Sequence, residues 1–462
     1  MPRLARLTAA SLTVLALVGG ACSSSDDDSG APSEAETSSA TIRVPDDHDT
    51  IQAAVDAASP GDLILIEPGT YEEAVDVETE DLTIRGLDRN EVVLEGGFEL
   101  ENGIRVLADG VAVENMTAQN YTTNGFFWTG VTGYRGSYLT AFRNGDYGVY
   151  AFDATKGQLE HIYASGSPDA GVYIGQCYPC DAVIDDVTSE YNGLGYSGTN
   201  SGGNLLIVNS TFRYNRAGIV PNSGSYELCY PERDTTIVGN IVHDNMQPDT
   251  PAIDVALLAM GNGILVAGGV QNTIERNLVY DHERTGIGLV PFPEEEANDG
   301  VPHESTWDTP CAEVRDDPPT VTDPDALAVV LWDAMQNSVQ GNDVSGSGIA
   351  DLAVGSLQPD LAGLGNCFGG NTFSTTAPAD LEELAPCTGE PTSDAWDVGV
   401  LNLAELVTSE RPPSVDYETA PTPEPEDQPN MPDAETAPAR PATDAPFDVD
   451  LDAIVVPTRP AE

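Results

Sequence analysis

The sequence predicts a solenoid of short parallel strands, a parallel β-helix, and three observations carry that prediction. Strand starts recur at a fixed interval: Gly125 opens GFFWTG, Gly148 opens GVYAFD and Gly171 opens GVYIGQ, each 23 residues after the last. Gly218 (GIVPNS), Gly263 (GILVAG) and Gly286 (GIGLVP) continue the series; the last pair is again 23 apart, and 218 to 263 spans 45, close to two periods. Beside it runs a track of asparagines in short apolar segments, beginning at Asn115 and continuing through Asn209, Asn240, Asn277, Asn342 and Asn371. Third, 45 glycines, 34 prolines and only 6% aromatic residues in 462 suit a turn-rich chain of short strands better than a helical bundle.

The elements follow in chain order. Arg3 and Arg6 precede an apolar run from Leu12 to Val18, read as a signal peptide over residues 1–21, too short for a mature membrane span. Gly19, Gly20, Ala21 and Cys22, followed by SSSDDDSG, resemble a bacterial lipoprotein processing site, which implies that Cys22 carries a lipid and that 22–40 is an acidic linker; Gly19 stands where that pattern usually has Leu or Val. Asp49 to Ala58 reads as a short amphipathic helix with Asp49 and Gln52 at capping-box spacing, ended by Pro60 and Gly61. The solenoid is expected over 41–390, with this helix as its lid, because each coil buries its inner face only against its neighbours and the open end needs covering.

Two stretches interrupt the repeat, 221–234 and the proline- and acid-rich 291–325, both after the same strand, so they are expected on one face of the solenoid. Six cysteines remain in an oxidising compartment. Sequence proximity suggests Cys177 with Cys180, Cys367 with Cys387 and hence Cys229 with Cys311, among about 15 arrangements that six cysteines allow. Residues 391–462 read as a disordered acidic tail, proline-rich from Arg411 onward.

With the repeat in view, residues 41 to about 376 resemble the right-handed parallel β-helix superfamily of pectate lyases and pectinesterases. TIQAAVDAASPGDLILIEPGTYEEAV is especially similar to the amino-terminal caps of secreted members. The chain also resembles β-helix proteins associated with nitrous-oxide reductase maturation. The resemblance implies the fold; its members include lyases, hydrolases, esterases, epimerases and non-enzymatic binders, so it does not select an activity. The Asn-Thr-Asp, Asp-Asp and Gly-His-Gly set of polygalacturonases and the Asp-Pro-His-Asp of alginate epimerases are not found, and the pectinesterase Gln and Asp positions cannot be laid down.

Strand alternation supplies site candidates. If Phe126, Val149 and Val172 point inward, Phe127, Tyr150 and Tyr173 point outward on neighbouring coils and form an aromatic ladder on which the apolar faces of sugar rings could stack. Loops laid over the rings, or cross-coil stacking alone, would use the same residues. Aligning the asparagines places Arg213, Asp244 and Asp281 in one column with Glu190, and His282 beside it: carboxylates next to a cation, as proton abstraction or glycosidic hydrolysis needs. A surface column of ion pairs is the alternative. Asp146 and Asp169, each two residues before a repeat glycine, could bring two carboxylates together, with calcium as the candidate ion and solvated turn acids as the alternative. Five scattered histidines and six methionines give no copper cluster.

Net charge bounds the partners. With 76 acidic against 18 basic residues the formal charge is −58, and Lys156 is the single lysine, which excludes a phosphate-binding surface for nucleic acid. The sequence therefore reads as an envelope lipoprotein that meets the membrane only through its lipid and binds an extended polysaccharide. The alternatives are a glycan-processing lyase or hydrolase, and a structural solenoid that contacts another envelope protein.

Overall fold

The computed structural model describes residues 39–295, 304–307, 309–311, 329–358, 361–394, 396, 401–442 and 449–460. Along most of the solenoid each coil lays one strand in an 11-stranded sheet and two in a 20-stranded one. The 11-stranded sheet runs in chain order from Val75–Val77 to Thr376–Ala377, and its neighbouring strands are parallel. The 23-residue repeat is its register: Phe127 lies against Tyr150, and Tyr150 against Tyr173. Inward residues Phe126, Val149, Val172, Tyr196, Ile219, Ile264, Ile287 and Leu352 are fully buried and stack at the strand spacing of about 4.8 Å.

The lid helix is Ile51–Ala57, and its cap is Thr50, whose side chain accepts from the Ala53 amide, rather than Asp49. Glu73 accepts from the amides of Ile51 and Gln52, so an acid from the first coil satisfies two more orphan donors. Gln52 exchanges hydrogen bonds with the Asp76 backbone, and Ile51, Ala54 and Val55 close the end of the core.

Asparagine ladders line the corners. In one, the backbone and side-chain nitrogens of Asn240 donate to Asn277, those of Asn277 to Asn342, and those of Asn342 to Asn371, at 2.9–3.0 Å. Asn371 donates to Glu382 of the closing helix Leu381–Leu384. Asn115 and Asn209 stand outside it. Asn209 takes a left-handed turn position (φ 48°) level with Gly239 and Arg276, and Ser210 is the rung that meets Asn240. A second corner stacks Asn192, Asn215, Asn245 and His282; a third stacks Asn272, Asn337 and Asn366 and ends on Glu232.

The tail, expected from its composition to be disordered, is instead laid against the solenoid. A proline-rich extended segment makes no internal hydrogen bonds and leaves its carbonyls to outside donors, and arginine is a five-donor side chain. Arg85 donates to Ala437 and Pro438, Arg135 to Arg440, Arg143 to Ala420 and Thr422, Arg216 to Pro412 and Pro413, and Arg276 to Leu451. Val449, Leu451 and Ile454 pack over an outward stripe of Val183, Val208 and Val238.

The disulfides are Cys177–Cys180, Cys229–Cys311 and Cys367–Cys387. Cys229–Cys311 joins the two insertions. Phe292–Glu295 pairs antiparallel with Val329–Trp332 at the base of the longer one, most of which lies outside the described residues.

Candidate functional site

Outward residues of the 11-stranded sheet form one column: Asp76, Arg105, Phe127, Tyr150, Tyr173, Ser197, Val220. Phe127 and Tyr150 stack at 4.7 Å and 15°, and Tyr150 and Tyr173 meet edge-on at 4.9 Å. Tyr147 completes the cluster, stacked on Tyr150 at 4.2 Å and 10°.

Simple alternation hides Tyr147, since it would point inward like Val149. The strand start breaks the rule: a Cβ on Gly148 would lie 3.1–3.2 Å from the core methyls of Ala164 and Ala141. Gly148 therefore faces the interior beside Val149, and Tyr147 turns out. The glycines that mark the repeat mark this local reversal as well.

The rings are unequally available. Tyr173 is 1% exposed, and its hydroxyl donates to both oxygens of Glu227 at 2.6 and 2.7 Å. Glu227 belongs to the shorter insertion, whose loop is held over the sheet by Asn200, which donates to the carbonyls of Gly224 and Glu227. Of the three ladder residues, Phe127 and Tyr150 stay half-buried; Tyr173 is a strut beneath the loop, leaving Phe127, Tyr147 and Tyr150 as the platform.

Three carboxyls border it. Asp169 is buried and accepts from the Tyr147 hydroxyl at 2.5 Å; burial pushes its pKa up to about 7, against the pull of that hydrogen bond and with a further push from Asp146. Burial likewise raises Glu227 to about 8, with the Tyr173 hydrogen bond opposing and Asp169 adding, and burial raises Asp146. The Tyr150 hydroxyl is raised by burial and then by Glu227, Asp169 and Asp146, so the three carboxyls converge on one ring.

Asp146 and Asp169 are neighbours on adjacent coils, where the Asp169 amide donates to the Asp146 carbonyl. They do not make a calcium cage: calcium takes six to eight oxygens, one Asp169 oxygen is held by a phenol, and among the described residues no three His, Cys, Asp or Glu side chains converge on one point.

The column of Arg213, Asp244, Asp281 and His282 does not form. Glu190, Arg213, His243 and Tyr280 share the register, one residue away from the asparagine alignment, because Asn209 is a turn residue and not a rung. Arg213 is paired with Glu190 at 2.5 Å. Asp244 and Asp281 sit at left-handed corners (φ 52° and 58°), one beside His243 and the other paired with Arg459 of the tail. His282 is sealed in a ladder, 3.3 Å from the Asn245 amide nitrogen, and burial lowers its pKa to about 3. These residues hold corners and coils together.

Further along the same sheet a cavity of about 500 Å³ is lined by Val220, Leu258, Leu265, Phe292, Leu403 and Leu406. Among the described residues no helix is long and apolar enough to cross a membrane.

Residues 102–291 match the family model described as a right handed beta helix region. Among solved structures the chain is similar to the A-module of a mannuronan C-5 epimerase from Azotobacter vinelandii, at 13% identity and a TM-score of 0.48, over 73% of this chain and 96% of that one. It is also similar to the pectate lyase Pel9A, at 13% identity and TM-score 0.40, over 85% and 90% of the two chains. An alginate lyase from a Paenibacillus species is similar at 14% identity and TM-score 0.33, over 54% of this chain and 90% of that one. No curated protein matches the sequence. Coil register and family model together establish that the chain folds as a right-handed parallel β-helix.

Proposed function

We propose that the lateral face of the 11-stranded sheet binds an extended polysaccharide, with Phe127, Tyr147 and Tyr150 as its stacking platform. The observation that carries this is the pair of near-parallel stacks, Phe127 on Tyr150 across neighbouring coils and Tyr147 on Tyr150 within one strand of a rigid sheet. Coil spacing sets the rings at intervals along the solenoid axis, so a chain laid on that axis meets them in turn. A second reading, glycan cleavage at the same face, is supported by Asp169 at about 7 and Glu227 at about 8, carboxyls placed to exchange protons near neutrality.

One panel of polysaccharides, read for retardation and for released ends, tests both. Tyr150→Ala is expected to weaken retention about tenfold or more while moving Tm by no more than about 3 °C. Unchanged retention would remove the platform, and a large fall in Tm would make it a structural stack. Released ends that disappear in Asp169→Asn would select cleavage over binding alone.

We further propose that the protein is tethered to the envelope by a lipid on Cys22, a residue outside the described ones, on the strength of the leader and the small residues before that cysteine. Cys22→Ser should move the protein from the membrane fraction to the medium; a substituted protein that still sediments with membranes would refute the tether.

A further inference from the structure

We propose that the glycan taken by the aromatic face is cationic, an amino-sugar polymer whose free ammonium groups are received by Asp146, Asp169 and Glu227; this rests on the polysaccharide reading above and names its substrate class.

The first support is how the chain uses its few cations. It has 18 basic residues against 76 acidic ones, and most arginines near a carboxylate are committed to it. Glu114 is held by Arg85 and Arg135, Glu190 by Arg213, Asp76 by Arg105, and Asp281 by Arg459. Among the described residues Asp146, Asp169 and Glu227 have no such partner. Arg105 adjoins Phe127 in the column, but Asp76 already holds it through two hydrogen bonds of 2.7 and 2.8 Å.

The second support is unfilled acceptor capacity. A carboxylate offers about four lone-pair sites. Two buried acids without an ion pair are filled by neutral donors. Glu294 takes the Ser225 amide and hydroxyl and the Trp332 indole, and Asp351 takes the amides of Ser347, Ser374 and Thr375. The three carboxyls at the platform receive two phenol hydroxyls between them, from Tyr147 and Tyr173. Desolvated carboxyls with acceptor sites left over are stabilised by a ligand that brings N–H donors and positive charge.

A third mark lies at the platform's edge. Asn124 stands level with Tyr147 on the preceding coil, is 6% exposed, and has a side-chain oxygen with no donor. Its amide nitrogen is occupied by Asn102. The unfilled polar positions at this face are therefore acceptors, and the ligand its carboxyls suit is rich in donors. A uronate chain would add negative charge beside carboxyls that burial already disfavours in their charged form, and to an envelope of net charge −58. An ammonium-bearing chain is drawn in by the same field and favours the charged form of these carboxyls, which release their protons as it binds.

The experiment compares full-length protein against chitosan hexamer, its fully N-acetylated counterpart, a neutral β-glucan hexamer and oligogalacturonate, by calorimetry at pH 6.0 and 0.15 M salt. Chitosan hexamer is expected to bind at least tenfold more tightly than the acetylated form, and oligogalacturonate not to bind. Because any polycation is attracted to so acidic a protein, Glu227→Gln is set beside a control that removes two exposed tail acids, Glu424→Gln with Asp427→Asn. Glu227→Gln should lose most of the chitosan preference and the control should keep it. Equal losses in both would overturn the inference as non-specific attraction. Tighter binding of a neutral or uronate hexamer would overturn it while leaving the polysaccharide reading intact, and no binding by any member would sink both.

Discussion

Glu114→Ala is expected to lower stability by about 3–5 kcal/mol, among the largest effects of any single side chain here. Glu114, Arg85 and Arg135 are consecutive outward residues on adjacent coils, positions that would ordinarily be solvated. Here their side chains are 0%, 0% and 4% exposed, because tail residues 434–440 lie over them. Arg85 reaches one Glu114 oxygen at 2.6 Å and Arg135 takes the other. Removing the carboxylate leaves two guanidinium groups in a desolvated layer, and the structure's remaining escape is to lift the tail. Two readouts should therefore move together: the urea midpoint falls, and the chain becomes cleavable near Arg440. Glu67→Ala provides the contrast, since its pair with Arg43 is about one-third exposed and should contribute at most about 1 kcal/mol. Similar losses for the two variants, or a Glu114→Ala loss under about 1 kcal/mol, would mean that water reaches the cluster and the tail does not cover it.

The same covered layer shows where reading the sequence stops. The solenoid was legible because its core imposes a period: Phe126, Val149 and Val172 must be apolar to stack, and their spacing survives in the letters. What faces outward obeys no such constraint. The left-handed corner position is filled by Asn209, Gly239, Arg276 and Gly341, so residue identity there does not reveal the register, and aligning on asparagine displaced Arg213 from His243 and Tyr280 by one. The ladder of Phe127, Tyr150 and Tyr173 was visible from alternation, but its burial was not. That depends on Glu227, 54 residues beyond Tyr173 and held in place by Asn200. Tail order was invisible for a related reason. The donors that fix it sit hundreds of residues upstream, Arg85 being 352 positions from Ala437, and composition carries no trace of so distant a partner.

Stability should also depend on pH through two identifiable side chains of opposite sign. Glu232 is fully buried at the end of a ladder, accepting from Asn272 at 2.7 Å and Thr235 at 2.8 Å, and burial raises its pKa from 4.5 to about 8 against those hydrogen bonds. Between these values the folded chain holds a proton that the unfolded chain has released, so this contribution is complete below about pH 4.5 and is lost as pH rises through 8. His282 works in the opposite sense. Its pKa falls from 6.5 to about 3, so its contribution is complete above 6.5 and is lost as pH falls through 3. At about 1.4 kcal/mol per unit, each shift corresponds to an effect on the order of 5 kcal/mol. From pH 4.5 to 6.5 the slope of His282 opposes that of Glu232, which Asp169 and Glu227 reinforce, so the denaturation midpoint should decline there and fall more steeply above 6.5, where His282 no longer compensates. Glu232→Gln should make the alkaline fall shallower, leaving the share of Glu227 and Asp169, and should not touch the acid limb, while His282→Asn, which continues the stack from Asn245, should flatten the acid limb and leave the alkaline fall. An alkaline fall that persists unchanged in Glu232→Gln would move the titrating group elsewhere, with Asp169 at about 7 as the next to replace.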